Sequence, residues 1–319
     1  MLLTTLSKTL AVLATGAAGL ALSVYLMPSA WKRNLLVRVL KLGPLPDRKL
    51  PWSRKIFPHG ELEQLADNLW GLSGSLPPDG PRLPRRMIIY RLPKTDRLWI
   101  HSPICCTDKV LGQITALGKV TFIVVPNPMH RLDAFVYAER FPEARVICPR
   151  EFKVAAEQAV RVDAFVEDLF PPAVSGGSSE PNGLSESDPP IRYVAPKGFY
   201  QDISELGYLL RLENEQHHAL VYCDTFFNID PEEEPCLVWI GTACGFGCTA
   251  IGRFIAVESG PQARDWVAKD LVSIVQQYRV RSISMAHGKE LKGSVEDVVR
   301  ALIDAAETFV KAREVKKQV

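Results

Sequence analysis

The chain has 319 residues, which is enough for one large domain or two small ones. Its 38 basic and 36 acidic residues leave a net charge of +2, which argues against nucleic-acid binding through overall charge. Seven cysteines, an odd number without zinc-ribbon spacing, favour free thiols in a reducing compartment over a disulfide framework. A redox pair at Cys244 and Cys248 is the alternative interpretation.

An uncharged stretch covers residues 9–27 near the N-terminus. As a helix it would span about 28 Å, close to the thickness of a bilayer core, and it predicts a transmembrane anchor over residues 1–30. A cleaved secretory signal and a mitochondrial presequence are the alternatives. Basic residues after the stretch place the large domain on the cytosolic side by the positive-inside rule. They are Lys32, Arg33, Arg38, Lys41, Arg48 and Lys49.

Residues 31–60 form a basic connection between the predicted anchor and the large domain. Residues 31–42 place apolar and basic side chains on different faces, which predicts an interfacial helix on anionic headgroups, or else a plain linker. The membrane is therefore the expected partner of residues 1–42. Residues 43–60 are rich in proline and predict a tether, so that the globular domain covers residues 61–319.

The first part of the predicted domain consists mainly of short strands. Runs of β-branched and aromatic residues punctuated by glycine and proline predict strands at 68–73, 87–92, 98–101 and 121–125. Helices are predicted at 111–117 and 131–140. Strands thus give way to alternating helix and strand, which is typical of an α/β fold.

The second part of the domain follows a low-complexity insertion at 175–190. Strands are predicted at 191–194, 208–212, 219–223 and 282–286, with helices at 265–278 and 295–311. Ser294 and Asp297 resemble an N-terminal capping pattern for the last helix. Two blocks of strands with helices outside them would suit a four-layer sandwich.

Several motifs in this order carry a family resemblance. NLWGLSG, LWIHSP, LGKVTFIVVPNPMH, FPEARVICP, LVYCD and SISMAHG follow one another along the chain. The chain resembles the uncharacterised DUF4336 family, a divergent branch of the metallo-β-lactamase superfamily, over residues 66–310. The resemblance implies a metallo-β-lactamase-like αββα sandwich whose site lies at the strand ends.

That superfamily uses imidazole and carboxylate ligands for a zinc or iron ion, which lowers the pKa of a bound water toward about 7. Its usual signature is His-x-His-x-Asp-His. Aligning His130 with the final His puts Val125, Asn127 and Met129 at the other positions, and neither Val125 nor Met129 offers a suitable ligand. An alternative register starting at Asn127 is no better. The binuclear site is therefore predicted to be degenerate.

Four residues remain as candidate ligands of one zinc or iron ion. Asp224 aligns with the bridging aspartate and His287 with the last histidine, while His101 follows an earlier strand that the resemblance places at the same pocket. His101, His130, Asp224 and His287 would form one mononuclear site. Asn127 and Asp133 are the candidate hydrogen-bonding residues around it.

Two functions follow from this candidate set. The favoured one is a membrane-anchored binding platform that is non-catalytic or binds metal weakly, with an unknown small molecule or protein as its partner. The alternative is a mononuclear metal-dependent hydrolase that acts on an ester-type small molecule.

Overall fold

The computed structural model describes residues 27–41, 47–76, 83–174, 189–213, 217–234, 237, 241 and 245–310. The chain divides into two compact units, Met1–Leu42 and Gly43–Val319. The predicted span at 9–27 lies outside the described residues apart from Met27. Of the helices in the described part of the chain, none has the length and apolar character needed to cross a bilayer.

The first unit contains helix α1, Ser29–Lys41. Among the side chains that the structure describes in this helix, the exposed large apolar ones are Trp31, Leu35 and Val39, which are 67%, 45% and 56% exposed. Because these residues are four apart, they line one face of the helix. The helix therefore has an apolar stripe facing solvent and carries no acidic residue.

Residues 47–60, which we call the strap, lie on the surface of the second unit. The indole of Trp52 donates to the Cys106 carbonyl at 2.8 Å, and the Thr107 amide donates to His59 Nε2 at 3.0 Å. The sequence predicted a tether here because the segment is rich in proline and has few apolar residues. A few long side chains attach the described part of this segment to the domain, and the compact unit Gly43–Val319 includes the strap.

The larger of the two main sheets has seven strands in sequential order. The pairs from β1 to β4 are antiparallel, and those from β4 to β7 are parallel. The strands are β1 Glu63–Ala66, β2 Leu69–Leu76, β3 Leu83–Arg91, β4 Arg97–His101, β5 Lys119–Val124, β6 Arg145–Cys148 and β7 Ala164–Phe165.

The smaller main sheet has five strands in the order β14-β13-β10-β9-β8. Its central pair, β10 and β13, is parallel. The strands are β8 Ile191–Val194, β9 Gly207–Arg211, β10 His218–Val221, β13 Val280–Ser284 and β14 Leu291–Lys292. A separate antiparallel pair consists of β11 Phe227–Ile229 and β12 Gly245–Gly247.

Helices connect and cover the strands. They are α2 Asp108–Leu117, α3 Ala134–Arg140, α4 Lys153–Glu157, α5 Val166–Leu169, α6 Ala250–Ala256, α7 Gly260–Asp265, α8 Val272–Gln277 and α9 Val295–Ala306. A π-helical segment, Trp266–Leu271, joins α7 to α8. The last helix begins at the predicted capping box, in which the Ser294 and Asp297 side chains each accept from the other residue's backbone amide.

Three apolar clusters show how the layers pack. One lies between the two sheets and combines inward-facing residues such as Trp99 and Val124 with Tyr208 and Val221. A second packs the outer face of the seven-stranded sheet against α2, α3 and α4. The third packs the five-stranded sheet against helices including α8 and α9. The predicted α/β fold is confirmed, with two facing sheets and helices outside both.

Most of the predicted strands and helices are confirmed to within a few residues. The low-complexity insertion at 175–190 lies almost entirely outside the described residues. Five cysteines, at 105, 106, 148, 223 and 248, are free and buried, as expected from the composition. Cys244 is outside the described residues.

Candidate metal centre

Three of the predicted ligands lie where the chain leaves the carboxyl ends of parallel strands. His130 follows β5, Asp224 follows β10 and His287 follows β13. Loops at the carboxyl ends of parallel strands meet at one edge of a sheet. This topology brings together one residue from the seven-stranded sheet and two from the five-stranded sheet.

The facing atoms of these residues form a small triangle. Asp224 Oδ1 is 2.9 Å from His287 Nε2 and 3.3 Å from His130 Nε2, and the two Nε2 atoms are 3.3 Å apart. Atoms bound at about 2.0 to 2.1 Å by a tetrahedral ion lie about 3.3 Å from one another. The triangle therefore has the size of one face of a zinc tetrahedron.

The other ring nitrogen of His287 determines how this triangle is protonated. His287 Nδ1 lies 2.5 Å from the Pro84 carbonyl oxygen, which can only accept a hydrogen bond, so Nδ1 carries a proton. In a neutral imidazole, Nε2 then presents its lone pair to the Asp224 carboxylate. Such an arrangement requires either a second proton on His287 or a cation between the two groups.

The electrostatics of the pair follow from the same geometry. Burial alone would raise the pKa of Asp224, but His130 and His287 lower it well below its usual value. Burial acts against the charged form of His287, yet the hydrogen bond and charge of Asp224 raise its pKa. The carboxylate thus stays ionised and attracts a positive charge, either a proton on His287 or a metal ion.

Asn127 connects the triangle to its surroundings. Its Nδ2 donates to Asp224 Oδ2 at 2.7 Å and to Glu205 Oε2 at 3.2 Å. Its Oδ1 accepts from the backbone amides of Met129 and His130 at 2.9 and 3.1 Å. One buried amide therefore orients the carboxylate and also shapes the loop that carries His130.

Ser102 positions the His130 ring from another strand end. Its hydroxyl lies 2.8 Å from His130 Nδ1, which leaves Nε2 to face Asp224. Ser102 has a φ of 53°, an uncommon backbone conformation for a residue other than glycine. Strain of this kind concentrates at functional sites.

Glu205 holds the backbone of the loop that carries Asp224, and it was not among the predicted residues. Its Oε1 accepts from the backbone amides of Cys223, Asp224 and Thr225, each at 2.7 Å. Burial and the nearby charge of Asp224 raise its pKa to about 7. Glu205, Cys223 and Asp224 are close enough to hold a cation between them. Because Oε1 already accepts three hydrogen bonds, Glu205 is better suited to fixing the Asp224 loop than to binding metal.

His101 lies beside the triangle rather than in it. Its ring stacks on Trp99 and meets Tyr208 edge-on, with both centroid distances at 5.3 Å. Its Nε2 is buried without a hydrogen-bond partner, and His101 does not belong to the group of ligand atoms formed by His130, Asp224 and His287. Its place is therefore in the core between the sheets.

The buried ring of His101 predicts an acid-sensitive contribution to stability. Burial, followed by the charge of His130, lowers the pKa of His101 to about 3, whereas a histidine in the unfolded chain has a pKa of about 6.5. Between these values protons bind the unfolded chain preferentially, so the free energy of unfolding falls as the pH falls. Between pH 7 and pH 5, the free energy of unfolding measured in urea should fall by about 2 kcal/mol more in the wild type than in His101→Phe. Parallel pH profiles would contradict this assignment.

Asp133 has partners other than the triangle. Its Oδ2 accepts from Arg85 Nη1 at 2.9 Å and from the Cys105 amide at 3.0 Å. Two residues were predicted to form hydrogen bonds around the ligands. Asn127 does contact the candidate ligand Asp224, whereas Asp133 is hydrogen-bonded to Arg85 and Cys105.

The glycine that follows His287 is required by a close backbone approach. Gly288 has a φ of 100°, and a Cβ there would lie 2.2 Å from the Asn228 carbonyl oxygen. We expect Gly288→Ala to lower the free energy of unfolding by about 2 to 4 kcal/mol and to displace His287. Urea unfolding and metal content would measure the two effects.

Gly112 in α2 provides the matched control. A Cβ at this position would meet nothing within 4 Å. Gly112→Ala should be neutral or stabilise by up to about 1 kcal/mol, because alanine is the better helix former. If both substitutions had equal effects, the close approach at Gly288 would not matter.

Comparisons with known proteins give distant structural likenesses. The chain superimposes on the FIM-1 metallo-β-lactamase of Pseudomonas aeruginosa in its mono-zinc form with a TM-score of 0.49 and 12% identity, over 80% of this chain and 97% of that one. For the DIM-1 metallo-β-lactamase the TM-score is 0.47 with 12% identity, over 78% and 99%. For a metallo-β-lactamase of Hirschia baltica it is 0.45 with 10% identity, over 78% and 98%. These likenesses carry no functional inference.

No family model matches the chain, and no curated protein matches it significantly.

Proposed function

We propose that the chain is a divergent member of the metallo-β-lactamase superfamily, within the DUF4336 family, and that it binds one zinc or iron ion through His130, Asp224 and His287. We further propose that it hydrolyses an ester-type small molecule. The main support is the triangle of three facing ligand atoms, 2.9 to 3.3 Å apart, in which Pro84 already accepts the proton of His287 Nδ1.

The donor set fits the ion. Two imidazoles and one carboxylate are ligands that zinc and iron accept, and the triangle leaves a position open for a water or a substrate. When bound, such an ion supplies Lewis acidity and lowers the pKa of a coordinated water toward about 7.

The chain's own residues orient the site and control its access to solvent. Asn127 and the amides held by Glu205 fix the Asp224 carboxylate, while Ser102 and Pro84 fix the two imidazole rings. Asp224 keeps 18% of its side chain exposed, whereas His287 keeps 6%. The Asp224 Oδ1 atom that faces the two imidazoles is itself buried, so the surrounding loops keep the triangle largely away from solvent.

A hydrolysis assay tests the proposed reaction. Metal-loaded protein would be screened against aryl esters, lactones and phosphodiesters. We expect turnover of at least one class, reduced about 100-fold or more in Asp224→Asn, since a ligand and its charge are lost. A fully loaded wild type that turns over none of these probes would contradict the hydrolase.

A second candidate is the non-catalytic binding platform. Its support is Val125, which belongs with Ile123 and Ala134 to the apolar cluster outside the seven-stranded sheet. Met129 likewise offers no ligand suited to a second ion. The same assay distinguishes the two candidates, because a platform would bind an ion or a partner without turnover.

We also propose that residues 1–42 hold the protein at a membrane, with the large domain facing the cytosol. A mitochondrial location is the alternative. The exposed stripe of Trp31, Leu35 and Val39 on a basic helix supports the membrane location. A peptide spanning residues 28–42 should bind vesicles with anionic lipid more tightly than neutral ones, and less tightly at high salt. Equal binding to both vesicle types would contradict the electrostatic part of the proposal.

A further inference from the structure

A buried cluster of charged residues lies where the strap meets β3 and the start of α3. It contains Lys55 of the strap, Arg85 of β3 and Asp133, which precedes α3. Their exposed fractions are 7%, 7% and 1%. We call these three residues the Arg85 cluster. The candidate metal centre uses none of their side chains.

Arg85 uses only one part of its guanidinium group for Asp133. Nη1 donates to Asp133 Oδ2 at 2.9 Å, while Nε and Nη2 are buried and have no hydrogen-bond partner. Nε and Nη2 form the edge of the group that grips two oxygens of one carboxylate or phosphate. The edge best suited to an oxyanion is thus the one left without a partner.

Lys55 adds a second buried cation without a hydrogen-bond partner. Its Nζ is sealed from solvent and lies 5.8 Å from the ring centroid of Phe135. Two cations and one carboxylate leave the cluster with one uncompensated positive charge. A buried charge without a partner destabilises the folded state. The cluster therefore calls for a negative group.

The neighbouring thiol does not supply that negative charge. Burial and the charge of Asp133 raise the pKa of Cys105, while Arg85 and Lys55 act in the opposite direction but do not prevail. Cys105 therefore stays a neutral thiol. The strap itself reaches Arg85, because the ring centroid of Phe57, two residues after Lys55, lies 5.7 Å from the Arg85 guanidinium carbon. Asp133 Oδ1 also lacks a partner and could accept a hydrogen bond from a protonated ligand oxygen or from a water.

From these contacts we propose that the Arg85 cluster is a buried binding site for one small oxyanion, a phosphate or a carboxylate. The Nε–Nη2 edge of Arg85 holds two of its oxygens and Lys55 Nζ contributes a further donor. Because Lys55 belongs to the strap and Arg85 to the sheet, the anion fastens the strap to the domain. Exchange of the anion requires the strap to lift.

Equilibrium unfolding tests the proposal. The anion can bind as the chain refolds, so it does not have to enter the closed site of the folded protein. The full chain would be unfolded by urea at constant ionic strength in chloride, with inorganic phosphate or acetate added in millimolar steps. We expect one of the two to raise the midpoint until the effect saturates, as for any ligand that binds only the folded state. The anion whose addition raises the midpoint identifies the class of ligand, phosphate or carboxylate. A general salting effect would rise without saturating.

Substitutions in the strap locate the effect. Lys55→Met removes the unpaired charge, so it should leave stability in chloride unchanged or higher and abolish the anion response. Arg54→Met, at the exposed neighbouring residue, should keep the full response. Arg85→Lys keeps the charge but loses the two-pronged edge, and it should weaken anion binding roughly tenfold or more.

The remaining outcomes overturn the proposal. If neither phosphate nor acetate gave a saturable rise in the unfolding midpoint of the wild type, the buried groups would be hydrogen-bonded by waters and not by an anion. An unchanged response in Lys55→Met would place the anion elsewhere. Loss of the response in Asp224→Asn, with Lys55→Met unaffected, would assign the anion to the metal centre. Because Asp224→Asn removes a proposed metal ligand and leaves the Arg85 cluster intact, failure of one proposal does not imply failure of the other.

Discussion

Protein purified without added metal should contain about one zinc or iron ion per chain, and Asp224→Asn combined with His287→Ala should contain almost none. The two substitutions remove two corners of the triangle, leaving one imidazole that cannot hold the ion alone. Elemental analysis measures the content. A chelator should lower the unfolding midpoint of the wild type and leave that of the double variant unchanged.

His101→Phe serves as the control for the number of ligands. Since His101 stacks on Trp99 beside the triangle, this variant should keep its ion if three ligands suffice. Loss of the ion in His101→Phe would restore His101 as a fourth ligand. Ion-free wild-type protein whose stability does not change on chelation would contradict the metal centre itself.

Glu205→Ala should lower the free energy of unfolding by about 3 to 5 kcal/mol. The substitution leaves the amides of three consecutive residues, Cys223 to Thr225, without their acceptor in a buried place. Removal of the repulsion between Glu205 and Asp224 offsets part of this loss. Urea unfolding at neutral pH measures the change.

Glu205→Gln separates the role of the acceptor from that of the charge. The glutamine carbonyl can still accept from the three amides, so its cost should be clearly smaller than that of alanine. Glu143→Ala, at an exposed position, should stay within about 0.5 kcal/mol of the wild type. Equal costs for the alanine and glutamine variants at position 205 would argue against the three-amide contact.

Much of the fold could be predicted because the strands carry local patterns. Apolar runs such as β5 and β10 are bounded by turn residues, and the capping box at Ser294 predicts the start of the last helix. The strap was harder to predict, because the side chains that attach it meet the rest of the domain only in the folded chain. Trp52 donates to the carbonyl of Cys106, far along the sequence.

The candidate site shows the same division. His130, Asp224 and His287 were predicted as candidates from the family resemblance, and each follows a recognisable strand. Glu205 and Ser102 were missed because their roles arise from contacts with distant loops. Asp133 carried a plausible charge near His130, but sequence alone gave no indication that Arg85 would pair with it.

The origin of the triangle in two different sheets also bears on how the protein acquires its ion. His130 belongs to a loop of the seven-stranded sheet, whereas Asp224 and His287 belong to the five-stranded sheet. Neither sheet alone presents the three atoms, so tight capture has to wait until the sheets have packed on each other. During refolding, zinc uptake should then follow burial of the core between the sheets, and the ion would lock the finished assembly rather than nucleate it.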